Sequence, residues 1–370
     1  MDLVHRDGKR ANACGWGAKV MTCLAAACLV ALVPVVASAY SYDAENSSAM
    51  ALFQMGGSAR GQAMGGAYAA LARGAEAAYW NPGGLPYQRT SFEIDISPRV
   101  FQGEEYELGD DARGYFLIQA AWRWRTWAIS GSYLRQSVGD ILYNDGGADG
   151  GGDNPNDVSL DRTFSYGQSG FIAAIAGTFM DDHLGVGVAF KQLNSSFDDL
   201  PDSWSQENQG VETSGSGMGI QAGVLYRINE DVSAAAVVDL PTTVDWGRAD
   251  KDEVGYRIQT GAAFRFLRTE SFLGSVGGQL ENTGGSWARA HAGLELTCLQ
   301  VVSLRAGVKN FHLKSSAFEG TEDLNDATAF TLGAGTCDLH LMDGLEASLD
   351  VAFDWQDFNS QITSTLKVGF

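Results

Sequence analysis

From Ser91 to the terminal Phe370 the chain alternates between apolar and polar positions. Phe92, Ile94 and Ile96 interleave with Glu93, Asp95 and Ser97. A period of two predicts strands with two chemically different faces. The pattern is cleanest at the end, where Leu345, Ala347, Leu349, Val351, Phe353 and Trp355 share one face. Glu346, Ser348, Asp350, Asp354 and Gln356 share the other, and Ile362, Leu366, Val368 and Phe370 repeat the arrangement with Lys367 opposite. Fourteen such runs are read, near Phe92–Ile96, Tyr115–Trp122, Trp127–Gln136, Phe164–Phe179, Leu184–Leu193, Gly217–Ile228, Val232–Leu240, Val254–Leu267, Phe272–Leu280, Ala288–Thr297, Val301–Leu313, Ala327–Asp338, Leu345–Gln356 and Ile362–Phe370. The breaks are long or polar after odd runs and short after even ones. An even strand number with all long loops at one end predicts an all-β fold, a transmembrane antiparallel β-barrel of about 14 strands. One face meets lipid and the other a polar lumen, and a closed ladder leaves no backbone group unpaired in the bilayer.

The first ninety residues follow another pattern. Arg6, Lys9, Arg10 and Lys19 precede an apolar run from Val20 to Val36 and then Ala37-Ser38-Ala39. This is a secretory signal peptide, residues 1–39, cleaved before Tyr40. Residues 40–90 form a separate segment and residues 91–370 the barrel. Between Phe53 and Leu85 small residues dominate, and Gly56-Gly57, Gly65-Gly66 and Gly83-Gly84 break the segment into pieces too short for an isolated helix. Such a stretch buries no core alone, so it is expected as a short, partly helical plug inside the barrel.

Charge narrows the function. Losing residues 1–39 removes four of the 25 basic and two of the 45 acidic residues, leaving a net charge of −22. Nucleic acid, which asks for a basic surface, is excluded as a partner. Mean hydropathy is −0.10, and no mature segment is long and apolar enough for a transmembrane helix. Cys14, Cys23 and Cys28 lie in the signal region. Cys298 and Cys337 end strands separated by a third, too far apart for easy bridging.

Arg60, Arg73 and Glu76 are the only charges from Phe53 to Leu85, and inside a barrel they need partners. Polar strand faces offer Glu93, Asp95, Glu346, Asp350 and Asp354, with the cations Arg257, Arg265, Arg305, Lys309 and Lys367. The pairing is expected as a latch, either permanent or releasable. Tyr79, Trp80, Asn81 and Pro82 either set aromatics against a greasy ligand or pack the plug on the wall, with Asn81-Pro82 ending a helical turn. Trp122, Trp124 and Trp127 cluster at a short turn, as in an interfacial aromatic girdle. The acidic stretch from Asp140 to Asp161 has no EF-hand spacing, so a solvated outer loop is expected there and no metal. The histidines are scattered, with no hydrolase or nucleotide-binding motif. No enzyme activity and no cofactor are expected.

The order Gly57-Ser58-Ala59-Arg60, Met64-Gly65-Gly66-Ala67 and Asn81-Pro82-Gly83-Gly84-Leu85 resembles the N-terminus of FadL-like outer-membrane proteins, nearest the PorV/PorQ and UPF0164 branches. The chain departs from that pattern at Arg73-Gly74, where acidic residues are common, and at Gly83, where Ala is usual. The resemblance implies an outer-membrane channel that takes up hydrophobic small molecules, such as long-chain fatty acids, with the plug as its hatch. Its other branch implies an accessory or shuttle protein of type IX secretion that binds exported protein cargo. A C-terminal Phe370 resembles the signal read by the barrel assembly machinery during insertion.

Overall fold

The computed structural model describes residues 52–53, 55–102, 113–143, 162–198, 211–247, 251–282, 288–313, 328–337, 339–355 and 360–370. The signal peptide, the acidic stretch 144–161 and the loop carrying Trp204 lie outside the described residues.

All strands belong to one closed antiparallel sheet. In chain order they are β1 (Phe92–Gln102), β2 (Arg113–Trp124), β3 (Trp127–Tyr143), β4 (Arg162–Phe179), β5 (Leu184–Asp198), β6 (Val211–Arg227), β7 (Val232–Asp239), β8 (Thr242–Gly247), β9 (Asp252–Val254), β10 (Arg257–Arg268), β11 (Phe272–Asn282), β12 (Ala288–Cys298), β13 (Val302–Leu313), β14 (Ala329–Thr336), β15 (Leu339–Met342), β16 (Leu345–Trp355) and β17 (Ser360–Gly369). These 17 segments make 14 wall strands. Arg257 opposite Asp239 and Val254 opposite Thr242 continue one register, so β7–β8 is one wall strand and β9–β10 its partner. The expected run Val254–Leu267 is therefore interrupted, between Val254 and Arg257. Across the hairpin the break falls at Leu240-Pro241, where proline offers no N–H to the ladder. Likewise β14 and β15 run in succession along β16.

Closure is made by the two ends of the barrel sequence. β1 pairs with β17, Glu93 opposite Gly369. Beyond them Phe92 and Phe370 exchange both backbone hydrogen bonds, at 2.8 and 2.9 Å. The terminal residue thus fastens the seam. Short turns sit at this end of the barrel. At one of them Leu299 and Gln300 both take positive φ, 53° and 56°, as a two-residue turn matched to strand twist requires.

The outward face is apolar. Ile129, Phe171, Ile175, Leu294, Leu332 and Leu349 are exposed on it, and Trp122, Trp124, Trp127, Phe179 and Phe272 ring the short-turn end. An apolar band with aromatic rings at its edge is the surface of an outer-membrane barrel, and long connections mark its outer end. No helix of the described residues is long and apolar enough to cross a membrane.

The plug lies inside this wall. Its ordered pieces are α1 (Ala59–Ala63), a 3-10 turn at Gly74–Glu76, α2 (Ala77–Trp80) and a 3-10 turn at Pro82–Tyr87. The Ser58 hydroxyl caps α1. The Asn81 side chain accepts from the Gly83 N–H at 3.0 Å, with Pro82 at the first position of the turn.

Candidate functional site

The plug touches the wall backbone to backbone. Gly277, Gly293 and Gly307 stand opposite one another across β11, β12 and β13, and Gly187 stands opposite Gly223 across β5 and β6. A Cβ on Gly293 would lie 2.3 Å from the Met64 carbonyl oxygen, and one on Gly307 2.3 Å from the Gly65 nitrogen. On the other arc, a Cβ on Gly187 would lie 2.5 Å from Pro82 and one on Gly223 2.2 Å from the Asn81 carboxamide. The wall is thinned where the plug crosses it.

Contact this close leaves plug peptide groups needing wall partners, and they have them. Thr331 donates to the Ala63 carbonyl at 3.0 Å and Ser233 to the Ala70 carbonyl at 2.8 Å. The Ala59 N–H donates to Thr365 at 2.7 Å and the Ala69 N–H to Gln279 at 3.1 Å. His291 donates from Nδ1 to the Gly65 carbonyl at 3.0 Å. Arg99 donates to the carbonyls of Met55, Gly56 and Gly57, and Asn81 to those of Ala69 and Val224. Burial pushes the Tyr79 phenol up to about 12. It therefore stays neutral and accepts from the Gly56 N–H at 2.7 Å.

The charges sort differently from the expected set. Arg60 reaches Glu295 through two parallel hydrogen bonds of 2.9 Å. Arg305 donates to the same carboxylate at 2.7 Å and to Asp350 at 2.6 Å. A plug–wall chain Arg60–Glu295–Arg305–Asp350 results, and its central link, Glu295 on β12, was not among the anticipated partners. Glu76 takes the hydroxyls of Ser58 and Tyr68, so it is satisfied within the plug. Arg73 is exposed and pairs with no described carboxylate. Glu93 meets the plug through the Ala75 N–H at 3.1 Å. Arg257 and Lys191 share Asp239 at 2.8 and 2.5 Å, and Lys309 pairs with Asp354. These two groups are pairs within the wall. Arg265 bonds the Glu230 carbonyl at a short turn, and Glu346 pairs with the exposed His340, so both stand at the rim. Cys298 and Cys337 are free.

The plug divides the lumen. Toward the short turns lies a chamber of about 390 Å³, lined in part by Arg60, Asp95, Glu295 and Arg305. On the other side a cavity of about 300 Å³ is lined in part by Trp80, Arg257, Glu281, His291 and Lys309. The remaining arc carries an apolar cluster, interleaved with the buried polar residues Gln119, Ser132, Gln168 and Lys191. Tyr115, Leu117, Leu134, Ile172 and Leu193 pack on Leu52, Phe53, Met64, Tyr79 and Trp80 of the plug. Toward the long connections, the Phe197 ring stands 4.8 Å from that of Tyr166, 5.6 Å from Trp246 and 6.2 Å from Phe164.

No family model and no curated protein matches the sequence. Solved structures match the fold. The CymD monoaromatic hydrocarbon channel and the Ralstonia pickettii toluene transporter TbuX each superpose with a TM-score of 0.58 at 12% identity, covering 85% of this chain and 97% of theirs. The toluene transporter TodX of P. putida superposes with a TM-score of 0.56, at the same identity and coverage. With its closed wall and N-terminal plug, the chain has the fold of these hydrocarbon channels.

Proposed function

We propose that the protein is an outer-membrane channel for uptake of hydrophobic small molecules, monoaromatic hydrocarbons or long-chain fatty acids among them, with the plug as its gate. The observation that carries this reading is the apolar arc. Phe164, Tyr166, Phe197 and Trp246 continue inward into Leu193, Leu134 and the plug residues Leu52 and Phe53. Apolar and aromatic lining is what a greasy ligand needs along its path, and passage asks only for differential binding along that path.

The plug's anchors favour its first residues as the part that moves. Arg60 is tied by a bidentate pair to a carboxylate that is 6% exposed, and breaking such a pair costs about 3–5 kcal/mol. Ejecting the whole plug breaks this pair and all the peptide contacts together. Rearrangement of the segment before Ser58 spares the ion pair and breaks fewer: the bonds of Arg99 to the carbonyls of Met55, Gly56 and Gly57, of Tyr115 to Gly56, of Gln62 to Met55 and of the Gly56 N–H to Tyr79. The gate is that segment. The rival reading, binding of exported cargo, rests on outer loops beyond the described residues, and no described contact favours it.

The test compares uptake of radiolabelled toluene and of oleate by cells with and without the protein. Faster uptake that falls in a Phe197→Ala/Trp246→Ala variant, with normal barrel assembly, is expected. Equal uptake with and without the protein overturns the reading. An exported protein that co-purifies with an inert barrel replaces it with the cargo reading.

A further inference from the structure

At the short-turn end the register gathers arginines from the plug and from two wall strands. The Ser233 hydroxyl on β7 holds the plug at the Ala70 carbonyl, at 2.8 Å. Arg227 on β6 stands opposite Ser233, and Ala263 on β10 stands opposite it on the other side. Arg265 is the next lumen-facing residue of β10, with its N–H on the Asp231 carbonyl at 2.8 Å. Arg73 follows Ala70 by three residues in the plug. Although its side chain reaches solvent, desolvation in the barrel mouth and the charges of Arg60, Arg227 and Arg265 lower it to about 10. Arg73 and Arg227 both act on the Tyr87 phenol, and the Arg227 guanidinium stands 5.3 Å from the centre of the Tyr87 ring.

The carboxylates nearby are engaged. Glu230 takes Arg268 at 2.7 Å, and Asp231 lies 3.9 Å from Arg265. Asp182 accepts from the Thr178 hydroxyl, and Glu93 from the Ala75 N–H. Among the described residues neither Arg73 nor Arg227 pairs with a carboxylate. Like charges held together repel, and an anion set among them turns that repulsion into attraction.

We propose that Arg73, Arg227 and Arg265 form a binding site for a phosphate-class oxyanion at the short-turn mouth, with the ion bridging plug and wall. A guanidinium is a planar fork that fits phosphate through two parallel hydrogen bonds. A tetrahedral oxyanion offers oxygens in several directions, so one ion can answer guanidiniums that arrive from the plug, from β6 and from β10. A carboxylate has two oxygens in one plane and serves fewer of them. Free phosphate and the phosphate headgroup of a lipid present the same chemistry here. The ion would fasten the plug to β6 and β10, an arc that the Arg60–Glu295–Arg305–Asp350 chain does not reach. The site does not rest on the uptake reading.

The test is calorimetric titration of the full protein, folded in detergent micelles at constant ionic strength in chloride. The probes are sodium phosphate, sodium acetate and glycerol phosphate, which is a lipid headgroup without its chains. Saturable binding of phosphate, one per barrel, is expected, with acetate at least about tenfold weaker. Glycerol phosphate that binds more tightly than phosphate makes the headgroup the source, and equal or weaker binding makes it the free ion; either sustains the site. Arg73→Gln and Arg227→Gln should each weaken phosphate by about tenfold. Arg125→Gln, at a turn beside the Trp124 ring, should leave it unchanged. Acetate that binds as well as phosphate, phosphate binding that ignores Arg73→Gln and Arg227→Gln, or no saturable binding of either phosphate probe overturns the proposal. If a variant fails to assemble, the comparison of phosphate with acetate on the unaltered protein still decides.

Discussion

The two sides of the plug are held by different physics. Along β12 to β17 and β1, the wall meets it with charge and hydroxyl: the Arg60–Glu295–Arg305–Asp350 chain, Thr331 and Thr365. Along β2 to β5 it meets it with Tyr115, Leu117, Leu134, Ile172 and Leu193. Both arcs are written in the same alternating code, so alternation alone does not say what a lumen face is for. A directional charge network fixes position, because its geometry admits one arrangement. An apolar face tolerates sliding and exchange of one greasy contact for another. The plug is registered by charge on one side and packed largely by apolar side chains on the other.

The sharpest way to break this comparison is Glu295→Ala. It leaves Arg60 and Arg305 without their shared carboxylate, in a site where both stand close together. A loss of about 3–5 kcal/mol is expected, seen as a lower midpoint for heat-induced unfolding in detergent, together with ion conductance in planar bilayers. An unchanged midpoint and a silent bilayer would mean that packing alone holds the plug. Leu134→Ala acts on the opposite arc and should cost about 3 kcal/mol by opening a cavity. Because the polar side still fixes the plug, conductance should stay low in this variant. If it conducts as Glu295→Ala does, the two arcs do not divide the work.

How much of this was legible in the sequence follows from the range of each interaction. The strand faces, the alternation of long and short connections and the interfacial tryptophans are local patterns, and Trp122, Trp124 and Trp127 sit where the pattern placed them. Arg60 announced a need for a partner, because it is a charge in a stretch of small residues. Which carboxylate answers depends on how far along the lumen each strand brings its inward residues, and that register is set by the closed ladder as a whole. Glu295 did carry a signal, a charge set between Leu294 and Leu296 on β12. The wall glycines were less readable. Gly187, Gly223, Gly293 and Gly307 look like ordinary weak points of strands, and only the approach of the plug backbone gives them a purpose.

That purpose is testable at Gly293. Ala there sets a Cβ against the Met64 carbonyl, with backbone on both sides and no flexible side chain to give way. Overpacking of this kind costs about 1–3 kcal/mol, so a loss near 2 kcal/mol is expected in the same unfolding measurement. The plug should also become more sensitive to added protease. Gly131 serves as the control, because a Cβ there meets nothing within 4 Å. If Gly131→Ala and Gly293→Ala behave alike, the thinned wall is incidental to the plug.

The smallest effect is expected at the rim. His340 and Glu346 pair at 2.9 Å, but the His340 side chain is 76% exposed and Glu346 lies away from the plug. An exposed pair contributes about 0–1 kcal/mol, so Glu346→Ala should leave both the unfolding midpoint and the bilayer conductance nearly where they were. The value of the variant lies in its contrast with Glu295→Ala, since one removes a glutamate at the rim and the other a glutamate that holds the plug. If Glu346→Ala opens a conductance, the charge network that registers the plug extends down through the chamber to the rim.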